Sequence, residues 1–165
     1  FGAFGTTEVM RATFNANDRL HEAHDAVRLA LRRVSEIVQP ADASAVSARS
    51  TPASSWDVPT VGQPYAGLRL ARAGGATVAM ELVLESTELA NGVDDDGDGL
   101  VDEGRLTVAD STDANGPVTL VQGVELCAFS LNGRLMQVTL RCARPDHSRR
   151  IHRVTRDVKV YLRNG

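Results

Sequence analysis

Residues 6–38, TTEVMRATFNANDRLHEAHDAVRLALRRVSEIV, are the only long stretch of this chain with a sustained helical period. In its second half the apolar residues recur at steps of three and four, which places them on one face of a helix. They are Leu20, Ala23, Val27, Ala30, Val34 and Ile37. Such a stripe requires an apolar surface to pack against. Pro40 ends the predicted helix, because the residue before a proline disfavours the helical conformation.

The first half of this stretch is less apolar. Met10 and Phe14 are followed by Asn15, Asn17 and Asp18, a pattern too sparse to bury one face of a helix. We therefore expect the first half to project beyond the surface on which the second half packs, and to protrude or fray.

The chain after Pro40 reads as a loop followed by strands. Residues 40–62 are rich in Ser, Ala, Pro and Thr without periodicity, which is typical of a loop, and Trp56 is expected to anchor that loop to the body. Beyond it, apolar and polar residues alternate around Gly74-Gly75 and Asn132-Gly133, which are both hairpin signals. The predicted strands cover residues 66–73, 76–85, 105–109, 118–122, 124–131, 134–142 and 151–162.

These elements predict one domain over residues 1–165, divided into a helix (1–39), a loop (40–62) and a β-domain (63–165). A chain of 165 residues that is 42% hydrophobic can bury a single core. Because the apolar stripe of the helix and the apolar face of the sheet both need cover, the expected fold class is α+β, with the helix laid across an antiparallel sheet.

Composition argues against several classes of protein. Aromatic residues are 4% of the chain, the net charge is −3, and no basic run is interleaved with aromatic residues, so no nucleic-acid partner is expected. No run of 18 apolar residues and no signal peptide are present. The chain begins at Phe1 rather than at Met, which suggests processing or truncation.

The most specific motif is an acidic loop at residues 91–104, which holds six acids and no base. Within it the pattern Asp-x-Asp-x-Asp-Gly-x-x-Asp resembles a calcium loop, because alternate residues of a tightly curled loop point inward. The predicted ligands are the side chains of Asp94, Asp96, Asp98 and Asp102, the carbonyl of Leu100 and the neighbouring Glu103.

The predicted ion is Ca²⁺ in a strand-to-strand loop rather than in a helix–loop–helix hand. The hand needs a glutamate at its twelfth position, where this chain has Arg105. Oxygen ligands without a nearby His or Cys favour Ca²⁺ over transition metals. The alternative is a solvated acidic turn, since Asp and Gly are good turn formers. If the ion binds, we expect it to fix the loop rather than to catalyse a reaction.

Other reactive residues form no recognisable site. Cys127 and Cys142 lie on the two predicted strands around Asn132-Gly133, and a pair in an exported protein is usually bridged. A two-residue turn places Cys127 opposite Val138, too far from Cys142 for a bridge, so their pairing stays open. The four histidines are expected to be solvated. Because no catalytic constellation is found, we do not expect an enzyme.

The order of these parts resembles the minor type IV pilins and the minor pseudopilins of type II secretion, in particular their larger J- or W-like members. A long amphipathic helix leads through a loop into a β-domain, and the chain closes with a hairpin and a strand ending Val-Tyr-Leu-Arg-Asn at residues 160–164. The resemblance implies a pilin-like fold, with a long N-terminal α-helix packed on an antiparallel β-sheet.

The resemblance also implies a place in the cell. The helix would be the lower half of a longer one, whose apolar upper half anchors the subunit in the inner membrane, with the β-domain in the periplasm and later in a pilus or pseudopilus. The family's mature chain starts with a methylated Phe and has Glu at its fifth position; this chain has Gly5, so the membrane segment is expected to lie outside it. The implied partners are other minor subunits and the major subunit, and the isolated domain is expected to be a monomer.

Two functions are weighed on this basis. The first is a non-enzymatic structural subunit that initiates or caps a filament, with a calcium ion stabilising its loop. The second is a calcium-dependent adhesion module at a pilus tip, in which the acidic loop bridges to a surface or a glycan.

Overall fold

A computed structural model describes residues 3–51, 54–146 and 148–163, with the backbone alone for residues 3–15 and Ala73. One helix, α1, is followed by seven strands. Their bounds are α1 Ala3–Val38, β1 Val46–Arg49, β2 Gly67–Ala71, β3 Thr77–Leu84, β4 Gly104–Asp110, β5 Val118–Asn132, β6 Leu135–Pro145 and β7 Ile151–Tyr161.

The strands form a single antiparallel sheet in which each strand pairs with the next along the chain. The sheet curls on itself. The chain just before β2 reaches the part of β5 that β4 leaves uncovered, where Tyr65 and Phe129 exchange two backbone hydrogen bonds of 2.8 Å each. This contact encloses the apolar face of the sheet.

Helix α1 lies across β5, β6 and β7 and covers this face. Its second half supplies a continuous buried stripe, in which Ala23, Val27, Ala30 and Val34 were predicted from the sequence and Leu31 and Val38 were not. Leu20 and Ile37, at the two ends of the predicted stripe, are only half-buried. Across from the stripe the sheet places large side chains such as Phe129, Met136 and Leu140, each at most 1% exposed.

The predicted fold class, a pilin-like α+β fold, is wrong. The protein is mostly one curled seven-stranded antiparallel sheet with a single N-terminal helix, and it is richer in strand than a pilin-like long helix on a sheet. The physical reason lies in β5, β6 and β7, which are 15, 11 and 11 residues long. Their apolar faces and those of β2 to β4 supply most of the core, so α1 covers the sheet rather than organises it.

Three local predictions also need correction. The predicted loop 40–62 contains β1, which the Ser- and Ala-rich composition conceals. Two predicted strands, 118–122 and 124–131, are one strand, β5, bent by irregular pairing on either side of Gly123. The β5–β6 hairpin pairs Asn132 with Leu135, so its two turn residues are Gly133 and Arg134.

The first half of α1 is predicted to project beyond the surface on which the second half packs. This prediction depends on side chains such as those of Met10 and Phe14, which lie outside the described residues.

The shifted hairpin changes the environment of the two cysteines. Cys127 pairs with Leu140 rather than with Val138, and Cys142 pairs with Val124. Both cysteines are buried with free thiols. Burial raises the pKa of Cys142 to about 11 and that of Cys127 further, so both thiols are protonated at neutral pH.

Trp56 anchors its loop as predicted. It does so through two arginines, since the guanidinium carbons of Arg49 and Arg69 lie 4.6 Å and 4.2 Å from its ring centre. Gly67 makes this arrangement possible, because a Cβ there would lie 2.9 Å from the Arg49 side chain. Arg49 thereby reaches across β2 to form an ion pair with Glu81 on β3.

Among the described residues, no helix has the length and apolar character needed to cross a membrane.

Replacing Gly104 by Ala should destabilise the fold by roughly 2–3 kcal/mol, because a Cβ there would lie 2.2 Å from the backbone oxygen of Val83 and force β3 and β4 apart. Urea unfolding followed by circular dichroism measures this change. Gly133→Ala is the control: its φ of 60° makes alanine unfavourable, but the space around it is open, so the loss should be about 1 kcal/mol. Equal losses in the two variants would contradict the close approach of the strands at Gly104.

Candidate metal centre

The acidic loop belongs to the connection between β3 and β4, and its two ends are held together. The amide of Glu85 donates to the carbonyl of Glu103 at 3.1 Å. Gly104 then enters β4 opposite Leu84. The residues between these points therefore form a closed loop rooted in the sheet, rather than a free excursion of the chain.

Glu88 organises the inside of this loop. Its side chain is buried, and one carboxylate oxygen accepts from the amides of Asp95 at 3.2 Å and Asp96 at 3.3 Å. The other oxygen accepts from the amide of Asp102 at 3.2 Å. The sequence analysis missed this residue, because it lies outside the calcium-loop pattern and a single Glu before a turn carries no spacing signal.

Three aspartates of the pattern hold the curl of the loop. Asp94 accepts from the amides of Gly97 at 2.6 Å and Gly99 at 2.8 Å. Asp96 accepts from the amide of Asp98 at 3.1 Å, and Asp98 from that of Leu100 at 2.8 Å. The alternate aspartates that were predicted to converge on an ion therefore each accept hydrogen bonds from backbone amides of the loop.

The structure brings four of the predicted ligand residues into two overlapping groups. Asp96, Asp98 and Glu103 can each place one carboxylate oxygen within 4.8 Å of the others. Glu88, Asp94 and Asp96 form the second group under the same distance. Asp96, which both groups share, accepts hydrogen bonds with both of its oxygens. Glu88 and Asp94 of the second group do so as well, whereas Asp98 and Glu103 of the first group each keep an oxygen without a hydrogen bond among the described residues, so the first group is the better candidate for holding a cation.

Glu103 is the distinctive member of that group. Glu103 is only 2% exposed. Its Oε2 atom is buried and has no hydrogen-bond partner among the described residues. Burial, reinforced by the negative charges of Asp98, Glu88 and Asp96, raises the pKa of Glu103 to about 7. A carboxylate in this position is unfavourable unless it gains a proton or a cation.

The other two predicted ligands are placed differently. Asp102 turns away from the group and accepts from the amides of Asn91 and Gly92 at 2.9–3.0 Å, in a left-handed backbone conformation with φ of 50°. Asp102 belongs to neither group of clustered carboxylates; the side chain of Leu100 is buried, and its carbonyl stays a predicted ligand. The sequence pattern cannot show this difference, because it records spacing and not the rotation of the chain at Asp102.

The loop also leans against β7. Arg153 donates from Nε and Nη2 to the buried carboxylate of Glu125 on β5 at 2.8–3.0 Å, and Nη2 also lies 3.5 Å from the carbonyl oxygen of Gly99. The Cα region of Gly99 lies against Ile151, whose side chain would be 3.3 Å from a Cβ at this position. The position of the loop is therefore linked to the far edge of the sheet.

One histidine prediction can be compared with this surface. His152 is not solvated, since its ring nitrogen lies 3.1 Å from a carboxylate oxygen of Asp146. This contact, with amide hydrogen bonds, holds the pKa of Asp146 below its usual value. His147 lies outside the described residues.

Comparisons with protein-family models, with curated proteins and with solved structures find no match to this chain. The candidate site is thus defined by its geometry alone.

Without an added cation, the protein should lose stability as the pH rises from about 4.5 to 7. Over this range folded Glu103 keeps a proton that the unfolded chain releases, so the free energy of unfolding falls with pH and levels off above pH 8. The loss is up to roughly 3 kcal/mol, at about 1.4 kcal/mol per pKa unit. Because Glu103→Gln cannot titrate, the difference in unfolding free energy between wild type and this variant isolates the effect.

Urea unfolding in a chelator at several pH values measures this difference. Glu85→Gln, which removes an exposed carboxylate at the base of the same loop, serves as the control and should track the wild type. A wild-type stability that stays parallel to that of Glu103→Gln from pH 4.5 to 8 would contradict the burial of an ionisable Glu103.

Proposed function

We propose that the β3–β4 loop binds Ca²⁺ at Asp96, Asp98 and Glu103, and that the protein is a non-enzymatic structural subunit whose loop is ordered by this ion. The single observation that carries the proposal is the buried carboxylate of Glu103, which lies in a group with two further carboxylates and whose Oε2 has no hydrogen-bond partner among the described residues. A cation at this point would replace the missing hydrogen bond and offset the repulsion.

The donors of this group fit Ca²⁺ rather than a transition metal. All are carboxylate oxygens, which suit hard cations, and neither cysteine lies in the loop. Ca²⁺ takes six to eight oxygen ligands in flexible geometry, and three carboxylates can supply part of that shell. Mg²⁺ demands a stricter octahedral geometry and dehydrates reluctantly, so an irregular loop suits it less well.

The ion's proposed role is to fix the loop in place. Glu88, Asp94 and Asp98 already arrange the backbone amides around the acids, and Arg153 ties the loop to β7. Among the described residues, Arg153 does not supply a positive charge to the group of Asp96, Asp98 and Glu103, because it forms an ion pair with Glu125. Neutralisation by Ca²⁺ would complete the loop without any chemical step.

Adding Ca²⁺ at about 100 times its dissociation constant should raise the melting temperature by about 5–10 °C, since binding to the folded state alone contributes about 2.7 kcal/mol. Asp98→Asn should lose most of this increase, because it removes a charged ligand but keeps an acceptor for the amide of Leu100. Differential scanning calorimetry with Ca²⁺ and with a chelator measures both.

Asp95→Asn is the matched control for charge. It removes the same charge from the same loop, yet the Asp95 carboxylate faces Leu89 and Asn91 rather than the group. Its calcium-dependent increase should resemble that of the wild type. A melting temperature that Ca²⁺ does not change in the wild type would overturn the proposal.

We further propose that this subunit assembles through α1, as a minor pilin or a minor pseudopilin would. The proposal does not depend on a pilin-like fold, which this chain does not have; its support is the length of the helix. Among the described side chains, those from Ala16 onward, Ala23 is the first buried one, while α1 begins at Ala3. At about 1.5 Å per residue, about 30 Å of helix precede Ala23.

Such a helix has a use in an envelope filament. Its N-terminal part would pack against other minor subunits and the major subunit, and an apolar segment upstream would anchor the protein in the inner membrane with the sheet in the periplasm. The isolated chain, without these other subunits, would then be a monomer.

The chain expressed with the encoded residues upstream of Phe1 should fractionate with the inner membrane and be shortened by the prepilin peptidase. Membrane fractionation and immunoblotting, with a strain lacking the peptidase as the control, measure both. A full-length product that stays in the soluble fraction and keeps its length in both strains would contradict assembly as a pilin or pseudopilin.

A calcium-dependent adhesion module is the second candidate, favoured by a cleft beside the metal centre that is lined by Asp96, Gly97 and Asp98. The two candidates respond differently to chelation. Lost binding to a surface or glycan with an unchanged melting temperature favours adhesion, whereas a lowered melting temperature favours a structural ion.

A further inference from the structure

A cleft of about 450 Å³ separates the acidic loop from the turn between β6 and β7. One wall is formed by Asp96, Gly97 and Asp98, and the other by Pro145, Asp146 and Arg149. Two of the three carboxylates in the proposed calcium site therefore also face this cleft. A volume of this size is within the range of small-molecule sites.

The proposed ion would have free coordination positions toward the cleft. Glu103 is buried on the inner side of the group, while Asp96 and Asp98 are exposed. Three carboxylates leave part of the six- to eight-oxygen shell of Ca²⁺ to other oxygens. Those oxygens can come from water or from a ligand in the cleft.

Arg149 gives the opposite wall a positive charge. Its φ is 59°, a left-handed conformation that is unusual for a residue with a side chain, and its amide donates to the carbonyl of Asp146 at 3.0 Å. No ion pair of Arg149 is found among the described residues. The turn therefore presents an exposed guanidinium on the wall of the cleft.

Asp146 does not compete for the proposed ion. One of its oxygens accepts from the amides of Ser148 at 2.8 Å and Arg150 at 3.0 Å, and the other lies 3.1 Å from the ring of His152. It does contribute negative charge. Among the described residues that line the cleft, Asp96, Asp98 and Asp146 face Arg149 alone, so the cleft repels anions until a divalent cation brings it close to neutral.

We propose that this cleft binds a carboxylated sugar, whose carboxylate lies between the bound Ca²⁺ and Arg149. The proposal rests on the calcium site proposed above. A carboxylate can complete the oxygen shell of the ion and accept a charge-assisted hydrogen bond from a guanidinium. A sugar fits better than a peptide, because Pro145 is the one apolar side chain among the described residues that line the cleft, and peptide segments depend on buried apolar anchors.

Isothermal titration calorimetry of the protein with digalacturonate tests the proposal. We expect binding in saturating Ca²⁺ and none in a chelator, and no binding of the methyl-esterified disaccharide, which lacks the carboxylate charge. Arg149→Gln should weaken binding about tenfold or more. Arg149→Gly should do the same, and its left-handed backbone accommodates glycine without strain. Arg150→Gln, which changes the next residue along the turn, should bind as the wild type does.

A Ca²⁺ titration of the same samples separates the two proposals. If Ca²⁺ binds and digalacturonate does not, the carboxylate inference fails and the calcium site stands. If Ca²⁺ does not bind, both fail. Equal binding of digalacturonate with and without Ca²⁺, or of the free acid and its methyl ester, would also overturn the inference. Binding of a tetraglutamate peptide in place of the sugar would assign the cleft to a protein partner instead.

Discussion

The buried carboxylate of Glu103 is the constraint on which the acidic loop depends. A carboxylate that is 2% exposed, has an oxygen without a partner and lies beside Asp96 and Asp98 is unfavourable as an anion. Glu103 is held in this position because the chain enters β4 at the next residue. That residue, Gly104, packs closely against the backbone of Val83. A proton or a cation would relieve this cost, and the proposed Ca²⁺ would offset the charge of all three acids.

The rest of the protein holds the acidic loop rigidly, so that its carboxylates cannot move apart to reduce their repulsion. The curled sheet closes where Tyr65 meets Phe129, α1 covers its apolar face, and Arg153 links the loop to Glu125. A flexible loop would relax its acids into solvent. A loop held at both ends and at its tip keeps them together, which favours the proposed binding of a cation there.

Features that depend on residues close together in the sequence could be predicted from it, whereas features that depend on residues far apart could not. Local periodicity located the buried half of α1 and most strands, and the spacing of Asp94, Asp96 and Asp98 located the loop. The fold class was wrong, because periodicity gives the type of an element but not how much of the core a curled sheet encloses. The roles of Glu88 and Asp102 depend on hydrogen bonds between residues up to 14 positions apart, and no spacing rule contains them.

We propose that Ca²⁺ occupies the group formed by Asp96, Asp98 and Glu103. A crystal structure of the protein grown with Ca²⁺, with anomalous scattering to identify the ion, tests this occupancy. We expect an ion at about 2.3–2.6 Å from an oxygen of each of these three side chains, with Asp102 still bound to the amides of Asn91 and Gly92. A loop that holds no ion at millimolar Ca²⁺, or an ion bound without Glu103, would contradict it.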